Sequence, residues 1–313
     1  MERRVLELCE WKPHEVEELS DEQARALWKN HREQVRVEPP SPLTQKRWIL
    51  LATNWVGSLP VGTDLLLRIR PKVALANLFA MLDCAYGFDS LLRQAGVIEA
   101  DSLEGFYDRL AGLLAHDILT RGRRGWLRAY VPRSDRSLYV RGRLDLNDVV
   151  RRPWEARREC HFEEHTADIE DNQLLAWTTE RILRSGLTRG SRGIVARAHR
   201  ALRGVTGRRF DANDCVGRRY HRLNLDYQPM HGLCRFFLEH SGPSLSSGES
   251  AMVPFLLSMP RLFEQFVYGW LVGHLPPGLT LKPHEAVVIG ESGEIRFDID
   301  LVLYDRAGCY CPV

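Results

Sequence analysis

Asp298 and Asp300 stand two residues apart inside an apolar run, "IRFDIDLVLYD", at residues 295–305. A buried carboxylate without a partner is costly, so acids inside such a run need a reason. Strand side chains alternate between faces. Ile295, Phe297, Ile299, Leu301 and Leu303 therefore share one face, and Arg296, Asp298, Asp300, Val302 and Tyr304 the other. The two carboxylates point the same way, roughly 7 Å apart. A hard divalent cation takes carboxylate oxygens. Hydrolysis of a phosphodiester uses such an ion to polarise the phosphate and to acidify the attacking water. A wet outer sheet face with two solvated aspartates accounts for the same residues, and the residues alone leave both readings open.

Other segments carry chemistry of a different kind. "HFEEH" at 161–165 fits H-x-x-E-H, which as a zinc peptidase needs both histidines on one helical face. The segment precedes a helix start at Asp168 and reads as extended or looped, so the peptidase is a remote alternative. Arginines crowd 121–143 and again 197–222. Their planar forks suit phosphate, and a solvated face explains them equally. Trp126 and Tyr130 among them suit base stacking or the inside of a hairpin.

The frame around these residues is that of a water-soluble globular protein. The 313 residues allow two or three domains. Lys+Arg 43 against Asp+Glu 41 leaves no global field to draw in nucleic acid. Seven scattered cysteines, with only Cys309 and Cys311 close, form no zinc spacing and fit a reducing cytoplasm. The N-terminus has no signal-peptide core, the apolar stretches are too short to span a bilayer, and there is no P-loop.

The elements that must position the chemistry can be read in order. Ser20 and Gln23 form a capping box for a helix to about Lys29. Residues 48–57 and 64–71 read as two strands. Leu75 to Tyr86 has helical spacing, with Gly87 as its stop. Asp101 with Glu104 caps a helix that Gly122 closes. Residues 126–146 read as a β-hairpin. A helix runs from Asp168 and Asp171 to Gly186, and 231–240 is helical. The Ser/Gly stretch 241–250 is a linker. Pro260 then opens a helix, followed by a strand meander that ends at "CYCPV". A terminal apolar strand with no closing element gives the expectation that the sequence is incomplete. The fold class is α+β.

Five segments in order carry a family resemblance. They are "LLLRIRPKVALANLFAMLDCAYG", "LRAYVPRSDRSLYVRGRLDL", "TADIEDNQLLAWTTERIL", "MPRLFEQFVYGWL" and "IDLVLYDRAG". Together they resemble McrC, the nuclease subunit of the 5-methylcytosine-dependent McrBC restriction systems. The resemblance implies three parts: a partner-binding region at 1–150, a helical middle at 151–245, and the start of a PD-(D/E)xK nuclease domain at 246–313. It implies a McrB-like AAA+ GTPase ring as partner, which binds the GTP and reads methylcytosine. It also implies DNA as substrate, Mg²⁺ as cofactor and no membrane.

Residue by residue, Asp300 matches the family's metal-binding aspartate better than Asp298 does. Ile299 stands where the nominal proline would be, a common departure that leaves the aspartate's role open. Glu264 matches an acid of the first helix near the metal, or is a surface acid. Arg128 matches a partner-facing arginine, or is a surface charge. The second acid and the lysine that such folds place on the next strand have no counterpart, since no lysine follows Lys282 and no acid follows Asp305. The 313-residue chain alone is therefore expected not to cut. A non-catalytic adaptor that activates an AAA+ partner is the alternative from another class.

Overall fold

The computed structural model describes residues 4–42, 44–62, 64–86, 102–241, 254–289, 295–305, 308 and 310–312. Gly87, Asp101, the turn at 291–293 and all of the expected linker except Ser241 lie outside the described residues. The chain divides into two compact units. One comprises residues 1–110, 184–190 and 239–313, and the other 111–183 and 191–238.

The first unit opens with β1 (Arg4–Cys9), β2 (Pro13–Val16), α1 (Asp21–Asn30) and β3 (Val35–Glu38). The capping box at α1 is formed: Gln23 N–H donates to Ser20 Oγ at 3.2 Å and Ser20 N–H to Gln23 Oε1 at 3.0 Å. The expected strand 48–57 is two strands, β4 (Trp48–Ala52) and β5 (Trp55–Val61). The break falls where Thr53 Oγ1 donates to the carbonyls of Glu33 and Gln34, and where Trp11 Nε1 donates to Asn54 Oδ1. These are tertiary bonds with no local signal. β4 joins a sheet ordered β2-β4-β3, whereas β5 joins β6 (Leu65–Arg70).

β10 (Phe255–Ser258) completes that second sheet, ordered β1-β6-β5-β10, with β1 parallel to β6. The division therefore differs from the three consecutive segments 1–150, 151–245 and 246–313. A strand beyond residue 246 pairs with one near residue 57. The pairing depends on Gly57, whose φ is +130° and whose Cβ would lie 2.1 Å from the Phe255 carbonyl oxygen. Backbone cannot yield as a flexible side chain does. Gly57→Ala is expected to cost roughly 3 kcal/mol or more. Urea melts would register it, and an unchanged midpoint would contradict the tight β5–β10 approach.

α2 (Leu75–Tyr86) forms as its spacing predicts, and Phe79 stacks on Phe106 with centroids 4.3 Å apart. α8 (Met259–His274) packs on α2 closely enough that a Cβ at Gly269 would lie 2.7 Å from the Cys84 carbonyl oxygen. Pro260 stands in the first turn of α8, as expected. The meander follows as β11 (Thr280–Ile289), β12 (Ile295–Tyr304) and β13 (Tyr310–Pro312), antiparallel in that order.

α3 (Leu103–Arg124) starts at Ser102, whose hydroxyl accepts from Gly105 N–H at 3.0 Å. It does not close at Gly122. The stop is Gly125, with φ +92°, while Gly122 leaves room for Trp126.

The second unit holds most of α5 (Glu170–Ser185), α6 (Arg192–Ala201) and most of α7 (Tyr227–His240). Its core includes Leu114, Leu174, Ile182, Val195 and Phe236. Asn172 is fully buried and satisfied: its Nδ2 donates to Leu127 O and Ala167 O, and its Oδ1 accepts from Tyr227. The expected 126–146 hairpin is corrected. β7 (Ala129–Ser137) pairs along its length with β9 (Arg158–Thr166), and β8 (Arg143–Leu144) takes the other edge of β9. Gly142, at φ +70°, allows that approach, since a Cβ there would meet the His161 carbonyl at 2.4 Å. α4 (Leu146–Arg151) follows β8.

His231, buried on α7, is a satisfied core histidine. Its Nδ1 lies 3.0 Å from Tyr220 Oη and its Nε2 3.3 Å from the Asp171 carbonyl. Burial pushes the imidazole from 6.5 down to about 4, with the Asp171 carboxylate opposing and Arg218 assisting. Burial also pushes Tyr220 up to about 12. The folded histidine thus resists a proton that the unfolded chain accepts, so stability is full above about 6.5 and is lost as pH falls toward 4. Urea midpoints measured across this window should fall with acid, and His231→Gln should flatten the slope. An equal slope in the variant would contradict the assignment.

Candidate functional site

β12 carries the candidate acids as alternation requires. Asp298 and Asp300 are exposed, Ile299 is half-buried between them, and Leu301 is buried. The alternation fails at Val302, which shares the aspartate face yet is buried. That face is therefore open at the two carboxylates and closed one step further on. Register places Pro283 opposite Leu301 and Glu285 opposite Ile299, which brackets Asp300 opposite His284. His284 has φ +53°, a left-handed backbone that a non-glycine strand residue rarely adopts.

Glu264 lies half-buried on α8. Among the described residues no three His, Cys, Asp or Glu side chains are grouped to hold a metal ion, so Glu264 is not gathered with Asp298 and Asp300. Two exposed carboxylates on one face still fit a magnesium ion, which keeps several waters and takes only one or two protein carboxylates. Sequence reasoning missed a neighbouring cluster. Lys282 on β11 places its Nζ 4.5 Å from the Tyr304 ring centroid, and Tyr304 Oη donates to Glu285. Only the pairing of β11 with β12 reveals it.

In the second unit, Arg128 is exposed just before β7 and takes no partner among the described residues. The nearby Arg136 is structural. It bonds Asp148 Oδ1 at 2.7 Å and Glu155 Oε2 at 2.8 Å, with Glu159 at 3.8 Å. It thereby ties β7 to α4. Around this tie stand exposed apolar side chains: Leu138, Tyr139, Val140, Val150 and Trp154, with Tyr139 and Trp154 each 79% exposed. Tyr130 fills no inner face. It is exposed and lies against His165 at 4.9 Å.

"HFEEH" lies wholly in β9. Four strand residues separate its histidines by roughly 13 Å, and His161 Nδ1 is engaged by Ser134 Oγ at 2.6 Å. The helical peptidase geometry is absent, so that alternative falls. Asp168 precedes α5. Burial would raise its carboxyl, but bonds from Thr206 Oγ1, Gln173 Nε2 and Thr206 N–H, with the Arg133 charge, together hold it below the usual range. Its work is to hold this loop.

A family model described as "McrBC 5-methylcytosine restriction system component" matches residues 50–307, a span that takes in α8, β11 and β12. The chain belongs to the McrBC family. The resemblance carried by the five sequence segments is thereby borne out. The McrBC fold also appears in solved structures. A chain of an assembly of Thermococcus gammatolerans McrB AAA+ hexamers with bound McrC is 19% identical, with TM-score 0.54, covering 96% of this chain and 77% of that one. A chain of the Thermococcus gammatolerans McrBC complex is 20% identical, with TM-score 0.52, covering 87% and 88%. No curated protein matches. Among the described residues of this McrBC family member, no helix is long and apolar enough to cross a membrane.

Proposed function

We propose that the chain is the McrC-type endonuclease subunit of a GTP-dependent, 5-methylcytosine-dependent DNA restriction complex. The observation that carries this reading is the pair of exposed carboxylates, Asp298 and Asp300, on one open face of β12 within a McrBC-family chain. A magnesium ion bound there would supply phosphate polarisation and an acidified water. Asp300 would hold the ion, with Asp298 beside it, while Glu264 on α8 is not gathered with them among the described residues. The buried Leu301 and Val302 fix the backbone behind Asp300, so the carboxylate is presented from a rigid strand.

The second unit serves the partner, an AAA+ GTPase ring of McrB type. Arg128 and the apolar side chains between Leu138 and Trp154 form its docking face. GTP and methylcytosine are bound by the partner. A second reading has its own support: no third carboxylate is gathered at Asp298 and Asp300 among the described residues. The chain would then be an adaptor that activates the ring without cutting. Titration of the protein into the purified GTPase, with methylated DNA and magnesium, separates the two. Faster GTP turnover with DNA cleavage supports the nuclease, and faster turnover with intact DNA supports the adaptor. Unchanged turnover removes both.

A further inference from the structure

α1 presents a second, unrelated surface. Arg25, Trp28 and Lys29 recur at i, i+3 and i+4, the spacing of one helical face, and Arg32 follows just beyond the C-cap His31. All four are exposed, and Trp28 is 69% exposed. The three cations make no ion pair or hydrogen bond among the described residues. Leu27, turned away from this face, is buried, and the capping box fixes the helix start. Between this face and β3–β4 runs an open groove of about 770 Å³. Trp28 and Trp48 line it together with Pro39, Arg25, Lys29 and Arg32, and no carboxylate does.

A second concavity is lined by Arg32 and Arg36 together with Glu33 and Glu38, so the charges on its lining balance. The excess charge belongs to the first groove. Unpaired cations call for a polyanion, and the exposed indole of Trp28 among them calls for a planar ring between the charges. A single nucleic-acid strand has both, since its bases are free to stack and its phosphates repeat. A duplex hides its base faces, and an acidic peptide has none.

We propose that this groove binds single-stranded nucleic acid, with a base stacked on Trp28 and neighbouring phosphates on Arg25, Lys29 and Arg32. The proposal goes beyond the nuclease reading and stands whether or not β12 supports cleavage. The test is fluorescence anisotropy of the whole protein with a labelled oligothymidylate of about 12 nucleotides, within the usual site size. Trp28→Ala is expected to weaken binding roughly ten-fold or more, and Trp28→Phe to restore most of it. Replacing Arg25, Lys29 and Arg32 together by Ser should flatten the log–log salt slope by about 2, or ~0.7 per phosphate. All four side chains are exposed, and unchanged thermal melting of each variant verifies the fold. Equal affinity of Trp28→Ala and parent overturns the proposal. Equally tight binding of a duplex or of polyglutamate does the same, leaving only non-specific charge.

Discussion

Asp300→Ala is expected to abolish cleavage of methylated DNA by the assembled complex while leaving stimulation of the partner's GTPase in place. The exposed carboxylate makes no buried contact whose loss would unfold β12, whose stability rests on Leu301 and Val302 and on pairing with β11. The loss would therefore be chemical. A carboxylate that holds a catalytic ion contributes in the transition state, where charge on the phosphate grows. A fall of about a thousand-fold or more, roughly 4 kcal/mol of barrier, is the scale expected. Asp298→Ala should cost less, because Asp300 is the better match to the metal-binding position. The measurement is the initial cutting rate with partner, GTP and magnesium. Equal rates for Asp300→Ala and parent would remove that residue from the mechanism.

Tyr139→Asp combined with Trp154→Asp should detach the chain from the AAA+ partner proposed for it. Both side chains are 79% exposed, so the substitution leaves the fold of the second unit intact. Large aromatic side chains dominate binding where they become buried against a partner, and each such anchor is worth about 2 kcal/mol or more. An acid in their place adds the cost of burying charge. A weakening of roughly 30-fold or more follows from one anchor alone. Arg128→Ala should reduce GTPase stimulation as well, as an unpaired charge beside the same sheet. Binding of labelled protein to the GTPase in GTP reads the first effect. Unaltered affinity of the double variant would place the docking face elsewhere.

Local signals were legible in the sequence, and non-local ones were not. The capping box at Ser20 and the helical spacing from Leu75 to Tyr86 need only nearby residues, and both form as read. The common face of Asp298 and Asp300 follows from strand alternation and is present. The register that brings Lys282 over Tyr304 needs the pairing of two strands, and no spacing within either could show it. β10 is four residues long and pairs with a strand about 200 residues earlier, so nothing near it announces a sheet. The supposed 126–146 hairpin failed because both of its arms prefer the edges of β9. Gly122 looked like a helix stop, but its space is used by Trp126, and Gly125 takes the left-handed turn. The cations around Trp28 went unread in the sequence. Their meaning depended on Trp48 and Pro39 arriving from other elements.

Cutting by the protein extended past Val313 to the second acid and the lysine of the motif tests the central claim most directly. The protein, its AAA+ partner, GTP and magnesium are incubated with matched 5-methylcytosine-containing and unmethylated DNA, and product ends are counted over time. The account predicts double-strand ends from the methylated DNA alone, and none when the protein, the nucleotide or the metal is withheld. Methylated DNA left intact while the partner, with the protein bound, turns over GTP at the stimulated rate would contradict it.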